Sequence, residues 1–294
     1  MEQNTFNPLD LGGLQPFALG GTGACYRLSE DTILKLYYEG FPVECILREK
    51  EGARAALVAG VPTAISFDLV QVGNRRGVMY EMVQGKNVSE CVVAEPSRAV
   101  EMGGALARIA GTLHRAEVKK NDLPLATESI RAAVRAVDYL PERSVDNIMG
   151  FLDQLDRERH YVHGDFHPNN VIVTRSEPML IDMGGFSLGS AMFDIATLHF
   201  CLFDSPDALR DGRSTFNGMS HEETQGLWQG FVREYFGAEG EDPRPMDAQT
   251  EDLLYRIVVL VKLRFEQFFR AYIPGEYCDS VRREVLEAFG GVRQ

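Results

Sequence analysis

His163-Gly-Asp165-Phe-His167-Pro-Asn169-Asn170, with Ile181-Asp182-Met-Gly184 following, constrains this chain more than any other stretch; Asp182 stands twelve residues beyond Asn170. Two short apolar runs lie between, Val171-Ile172-Val173 and Met179-Leu180-Ile181, with the length and side chains of strands. Runs this close in sequence pair as a hairpin. Such a hairpin returns Asp182 to the mouth of the loop that carries Asp165 and Asn170. Two carboxylates and an amide are thereby gathered at one point, and the rest of the fold has to accommodate them.

The chain has 294 residues, enough for one large or two modest domains, and 45% of them are hydrophobic, enough for a full core. A formal net charge of -13 argues against nucleic acid and anionic membrane surfaces, whose phosphates need clustered Lys and Arg. Five scattered cysteines, Cys25, Cys45, Cys91, Cys201 and Cys278, form no C-x-x-C pair, which fits a reducing compartment rather than a disulfide framework or zinc site. Met1 to Thr5 has neither the basic nor the apolar region of a signal peptide, and the apolar run Ile257–Leu263 is interrupted by Lys262 and too short to span a bilayer. A cytoplasmic protein is expected.

Residues 1–83 read as strands with one helix. Phe17 to Leu28 predicts a strand, a glycine turn at Gly20-Gly21-Thr22-Gly23 and a returning strand; Thr32 to Tyr37 predicts a third strand. Pro42 to Ala59 predicts a helix stopped by Gly60-Val-Pro62, and a hairpin follows around Gly73-Asn74. Val83 to Lys86 reads as a connector. From Pro96 onward helical spacing dominates, over Ala99–Ala116, Ser129–Tyr139, Asp146–Arg157 and most of Met192–Phe289, with a break at Gly237–Pro245. The expected fold class is therefore α+β: a small antiparallel-sheet lobe with one helix (1–83) and a larger, mainly helical lobe (84–294). A cleft between two such lobes is a natural place for a ligand.

The gathered residues suit phosphoryl transfer. One Asp orients a substrate hydroxyl and takes its proton, while an Asn and a second Asp hold Mg²⁺ on nucleotide phosphates. Lys35 fits the same chemistry: it is a charge inside the apolar strand Ile33-Leu34-Lys35-Leu36-Tyr37, and such a residue is seldom buried without a partner.

On the motif at 163–170, on Leu180-Ile181-Asp182-Met183-Gly184 and on the upstream Lys35, the chain resembles the aminoglycoside phosphotransferase and choline kinase family, small-molecule relatives of protein kinases, over roughly residues 15 to 275. The resemblance implies a two-lobed protein-kinase-like fold, ATP and Mg²⁺ as cofactors, and a small-molecule hydroxyl acceptor. It makes Asp165 the catalytic base and Asn170 and Asp182 the metal ligands. His167 stands where protein kinases carry a lysine, and either touches the γ-phosphate or shapes the turn before Pro168. Lys35 is to pair with nucleotide phosphates and with a helix glutamate; Glu49 and Glu51 compete for that role, and the family alignment favours Glu49. Gly20, Gly21 and Gly23 are to cover the phosphates, and the Glu81 carbonyl and Val83 amide are to meet adenine. Asp194, in Phe193-Asp194-Ile-Ala196, is to brace the catalytic loop, and His163 and His114 are to be structural.

Most of the acidic excess falls after residue 83, which favours a cationic acceptor. Asp204, Asp207, Asp211, Glu222 and Glu223 are candidate surface acids for it. Trp228, Phe231 and Tyr235 could cage an amine, but their spacing is that of a helix face in a core. A protein kinase is the weaker reading, because only twelve residues separate Asp182 from Asp194 and leave little room for an activation loop. A nucleotide-binding module without catalysis is the other alternative, disfavoured because Lys35, Asp165, Asn170 and Asp182 are all present.

Overall fold

The structure, a computed structural model, describes residues 5–119, 122–206, 218–237 and 246–290. Its first part is a six-stranded sheet. β1 (Asn7–Pro8) runs parallel to β5, and the other pairings are antiparallel: β2 (Ala18–Leu19), β3 (Gly23–Arg27), β4 (Thr32–Tyr37), β5 (Ser66–Val72) and β6 (Arg75–Glu81), in the spatial order β1-β5-β6-β4-β3-β2. Successive strand residues point to opposite faces. Leu34 and Leu36 therefore join Ala24, Tyr26 and Val70 in a small cluster on one face, and Tyr37 joins the main core on the other. Lys35 shares the Tyr37 face, opposite Cys25 on β3 and Val78 on β6. That face is covered by α1 (Val43–Val58), which starts after Pro42 and ends before Gly60, whose φ of 81° a side chain would resist.

The connector is shorter than expected. Lys86–Asn87 form a strand, β7, and a helix missed by the sequence reading follows at once, α2 (Val88–Ala94). Asn87 and Glu90 make a capping box there, a start signal present in the sequence. Then come α3 (Ala99–Arg115), α4 (Glu128–Ala136), α5 (Glu142–Leu155), β8 (His160–Val162), β9 (Val171–Val173), β10 (Pro178–Leu180) and β11 (Ser187–Gly189). The expected hairpin β9–β10 forms, with Leu180 opposite Val171 and its second strand one residue earlier than the run Met179–Ile181, and β7 adds to its other edge; β8 pairs with β11. α6 (Met192–His199) runs into a π-helical turn at Phe200–Asp204, and α7 (His221–Tyr235), α8 (Ala248–Phe269) and α9 (Gly275–Phe289) complete the described chain. α4 and α5 start and end a few residues earlier than helical spacing alone suggests, because Val137 is extended and Pro141 caps α5.

α3 and α7 pack backbone to backbone. A Cβ on Gly103 would strike the Leu227 carbonyl, and one on Gly230 the Val100 carbonyl, both well inside van der Waals contact. Trp228, Phe231 and Tyr235 stack along α7 with centroids 5.7 and 5.4 Å apart, and Phe231 is fully buried, so they form a core face. Among the described residues no helix is long and apolar enough to cross a membrane, and the five cysteines are free thiols.

Candidate active site

Three close backbone approaches build the site. Gly164 has φ 80°, and a Cβ there would strike the Gly185 carbonyl; Gly185 in turn leaves only 2.8 Å between its would-be Cβ and the His163 carbonyl. The 163–165 loop and the 183–185 turn thus lie against each other. Gly52 lets α1 approach the same turn, its Cβ position being 2.5 Å from the Met183 carbonyl. The helix carrying Glu49, the turn beside Asp182 and the loop carrying Asp165 are held as one unit. Asp182 itself is left-handed, φ 61° and ψ 64°, the one non-glycine with positive φ among the described residues. Asp tolerates that region better than most side chains, at some strain.

Lys35 Nζ donates to Glu49 Oε1 at 2.8 Å and Oε2 at 3.0 Å, and to Asp182 Oδ1 at 2.8 Å. Glu51, on another side of α1, meets Arg54 at 3.4 Å. Burial disfavours the ammonium charge, but the two carboxylates outweigh that and hold Lys35 above the usual lysine range. Glu49 is buried and also accepts from the Tyr80 hydroxyl at 3.2 Å, a partner no sequence pattern pointed to.

Asn170 Nδ2 donates to the Asp165 carbonyl at 3.0 Å. Its Oδ1 therefore points away from that bond, and the Ile181 amide donates to the Asn170 carbonyl at 3.0 Å, which ties the residue before Asp182 to the loop. Oδ1 of Asn170 and the carboxylate of Asp182 are hard oxygen donors suited to Mg²⁺, which usually takes one or two protein ligands and completes its shell with phosphates and water. Among the described residues no cluster of three His, Cys, Asp or Glu side chains could hold a metal.

His167 Nδ1 accepts from the Asn169 amide at 3.2 Å, and its Nε2 stands 3.1 Å from Asn170 Nδ2 and 3.6 Å from Asp165 Oδ2. The last is an electrostatic contact rather than a hydrogen bond. The Asp165 side chain is half exposed although its carboxyl has many atoms around it. That crowding works against its charge, yet His167, then His163 and Arg264, outweigh it and hold Asp165 well below the usual carboxylate range.

A buried brace lies beneath the loop. Asp194, fully buried on α6, accepts from the amides of His163 at 2.8 Å and Gly164 at 2.9 Å, the bracing role expected of it. His114 Nε2 stands 3.0 Å from the same carboxylate, and the Tyr235 hydroxyl 2.7 Å from its Nδ1. His163 Nδ1 accepts from the Asp165 amide at 3.2 Å, so its Nε2 donates to the Ile181 carbonyl at 2.9 Å. Both histidines are structural.

Gly20 and Gly21 are exposed in the β2–β3 turn, closed by a Gly20 amide to Gly23 carbonyl bond of 2.8 Å. Gly23 is different: a Cβ there would stand 2.5 Å from the Leu36 carbonyl, so it is required by the β3–β4 contact. Glu81 ends β6, and its amide and that of Met82 donate to Ile65 and Asp31, each at 2.9 Å. The Val83 amide donates to no carbonyl among the described residues and is available to a ligand or water. Asp204 is engaged with His199 at 2.8 Å and Lys262 at 3.5 Å, and Glu223 caps α7; Asp207 and Asp211 lie outside the described residues, as does most of the Gly237–Pro245 break.

The sequence profile of the phosphotransferase enzyme family (APH) matches residues 14–231. No curated protein matches the chain. Among solved structures, amicoumacin kinase hAmiN in complex with AMP-PNP, Ca²⁺ and Ami is similar at 17% identity and TM-score 0.63, over 97% of this chain and 90% of that one. Aminoglycoside phosphotransferase APH(3'')-Id from Streptomyces rimosus, in complex with ADP and streptomycin, matches at 17% identity and TM-score 0.57, over 86% and 92%. A choline/ethanolamine kinase family protein from Mesorhizobium loti matches at 14% identity and TM-score 0.56, over 95% and 86%. At these identities the likeness is one of fold, and the fold is the protein-kinase-like one.

Proposed function

The chain belongs to the phosphotransferase enzyme family, and from that premise we propose an ATP- and Mg²⁺-dependent kinase that moves the γ-phosphate to a hydroxyl of a small molecule. The observation that carries the proposal is the convergence of Lys35 on Glu49 and Asp182, at 2.8 Å each, beside the Asn170–Asp165 bond of 3.0 Å. Four groups from β4, α1, the 163–170 loop and the end of the β9–β10 hairpin meet in the arrangement phosphoryl transfer needs.

The nucleotide is assigned to the cleft between a lobe spanning residues 1–83 and one spanning 84–294. Adenine meets the Glu81 carbonyl and Val83 amide, the glycine turn at 20–23 covers the phosphates, and Lys35 reaches them from β4. Mg²⁺, when bound by Asn170 and Asp182, neutralises charge on the phosphates. Asp165 orients the acceptor hydroxyl. The acceptor oxygen bonds to the γ-phosphorus, the bond to the bridging oxygen breaks with its electron pair leaving on ADP, and the hydroxyl proton passes to Asp165. A carboxylate held below the usual range is a weak base, so its part is positioning first and proton uptake late, in keeping with a loose transition state. His167 keeps that carboxylate ionised.

The test is ADP release from Mg-ATP across pooled sugars, amino sugars, amines, hydroxy acids and vitamins. A pool that raises the rate in the intact protein and leaves Asp165→Ala silent is the expected result. Near-normal turnover by Asp165→Ala would remove Asp165 from its role.

A further inference from the structure

Arg256, Lys262 and Arg264 are the cations of α8. Two of them meet carboxylates: Arg256 Nε is 2.8 Å from Asp252, and Lys262 Nζ is 2.6 Å from Glu284 and 3.5 Å from Asp204. Arg264 is partly buried on the same helix and, among the described residues, makes neither an ion pair nor a hydrogen bond. A partly buried guanidinium gains from a charged partner, and in a chain with an acidic excess partners are easily supplied. An unanswered cation in that setting calls for an anion brought from outside.

The fold places it beside the reacting groups. α6 carries Asp194, which holds the loop amides before Asp165, and α6 runs into the 200–204 turn. α8 packs on that turn, with the Phe265 ring, next to Arg264, 5.1 Å from the Phe200 ring. The strongest charge acting on Arg264 is that of Asp165, and Arg264 acts on Asp165 in return, yet no ion pair joins them. Their charges act on each other without a direct contact. An acceptor whose hydroxyl meets Asp165 occupies the same neighbourhood.

We infer that Arg264 binds an acidic group of the acceptor, a carboxylate or a phosphate, so that the substrate is a hydroxyl compound carrying an anion. Planar, multidentate guanidinium recognition suits both groups. An acceptor bearing an amine as well as an acid would also satisfy the acidic lobe. The inference rests on the phosphotransferase reading above.

ADP release from Mg-ATP is measured with gluconate against gluconamide, glycerate against glyceramide, and glucose 6-phosphate against glucose. The intact protein is compared with Arg264→Met and Arg264→Lys, all three checked for equal thermal midpoints. An acidic member should be preferred by the intact protein. Arg264→Met should raise its KM at least tenfold, leave the KM for ATP unchanged and abolish the preference over the neutral partner, and Arg264→Lys should recover part of it. Turnover confined to neutral or cationic acceptors would overturn the inference and leave the kinase reading standing. A raised KM for ATP with the acid preference intact would also overturn it, by assigning the guanidinium to the nucleotide's phosphates. No ADP release from any compound or pool would remove the kinase reading itself, and the inference with it.

Discussion

Replacing Asp194 with Asn changes one atom's chemistry and almost no volume, so it tests the brace without a cavity. The carboxylate answers three donors: Oδ2 takes the His163 amide at 2.8 Å and faces His114 Nε2 at 3.0 Å, and Oδ1 takes the Gly164 amide at 2.9 Å. An amide offers one oxygen. If it takes the Oδ2 place, its NH₂ points at the Gly164 N–H, donor against donor. One charge-assisted bond is lost, at about 1.5–3 kcal/mol, and a buried donor is left unanswered, at about 1–3 kcal/mol more. The remaining two bonds lose their charge assistance. We expect destabilisation of about 3–5 kcal/mol, a large fraction of a domain's typical stability.

The consequence for rate follows from position. Gly164, with its backbone against Gly185, directly precedes Asp165, so a shift there moves the carboxylate that orients the acceptor. Misplacement on the order of 1 Å costs about a hundredfold in rate. Urea unfolding reads the first effect and kcat under conditions where the variant is folded reads the second. A variant within about 1 kcal/mol of the intact protein, with unchanged kcat, would refute the argument, since it would mean that the three donors find other acceptors at no cost.

Two further outcomes follow from the same geometry. Because His167 is the chief charge holding Asp165 ionised, and the folded pKa of Asp165 is depressed, the stability Asp165 contributes is present above the ordinary Asp value of about 3.9 and is lost as pH falls; His167→Ala should shift the acid limb of kcat/KM to higher pH, and an unmoved limb would show that His167 does not act on Asp165. Gly230→Ala should destabilise the helical lobe: the added Cβ overlaps the Val100 carbonyl, an overpacking cost of about 1–3 kcal/mol or more, against a helix gain of about 1 kcal/mol for replacing glycine; a raised urea midpoint would count against the backbone contact.

What the sequence makes legible depends on how far apart the cooperating residues lie. Lys35 stands out because its neighbours at 33, 34, 36 and 37 are apolar, and the strand period alone sends it to the face that α1 covers. The β9–β10 hairpin is readable because two apolar runs flank a short polar turn, although its second strand starts one residue earlier than the apolar run does. Glu49 and Glu51 cannot be separated by composition, since both are acids on one helix two residues apart; only the direction of α1 against β4, fixed by Gly52 at the Met183 carbonyl, makes Glu49 the one that Lys35 meets. The α3–α7 crossing is less accessible still. Gly103 and Gly230 read as weak helix formers until their partners, Leu227 and Val100, are known to be carbonyls in contact.

The brace and Arg264 mark the limit of such reading, for opposite reasons. His114, Asp194 and Tyr235 are each ordinary core residues by local pattern, and their joint role exists only because three helices bring them together across as many as 121 positions. Arg264 is defined by what does not meet it. Its helix neighbours Arg256 and Lys262 are cations of the same kind, and sequence spacing offers Arg264 carboxylates no less plausibly than it offers them. The distinction arises when α8 brings Lys262 to Asp204 and Glu284 and leaves Arg264 unpaired among the described residues, with Asp165 the strongest charge acting on it and Asp194 a weaker one. A cation that acts on Asp165 without pairing with it supports the carboxylate's ionisation and leaves its oxygens free to orient a hydroxyl.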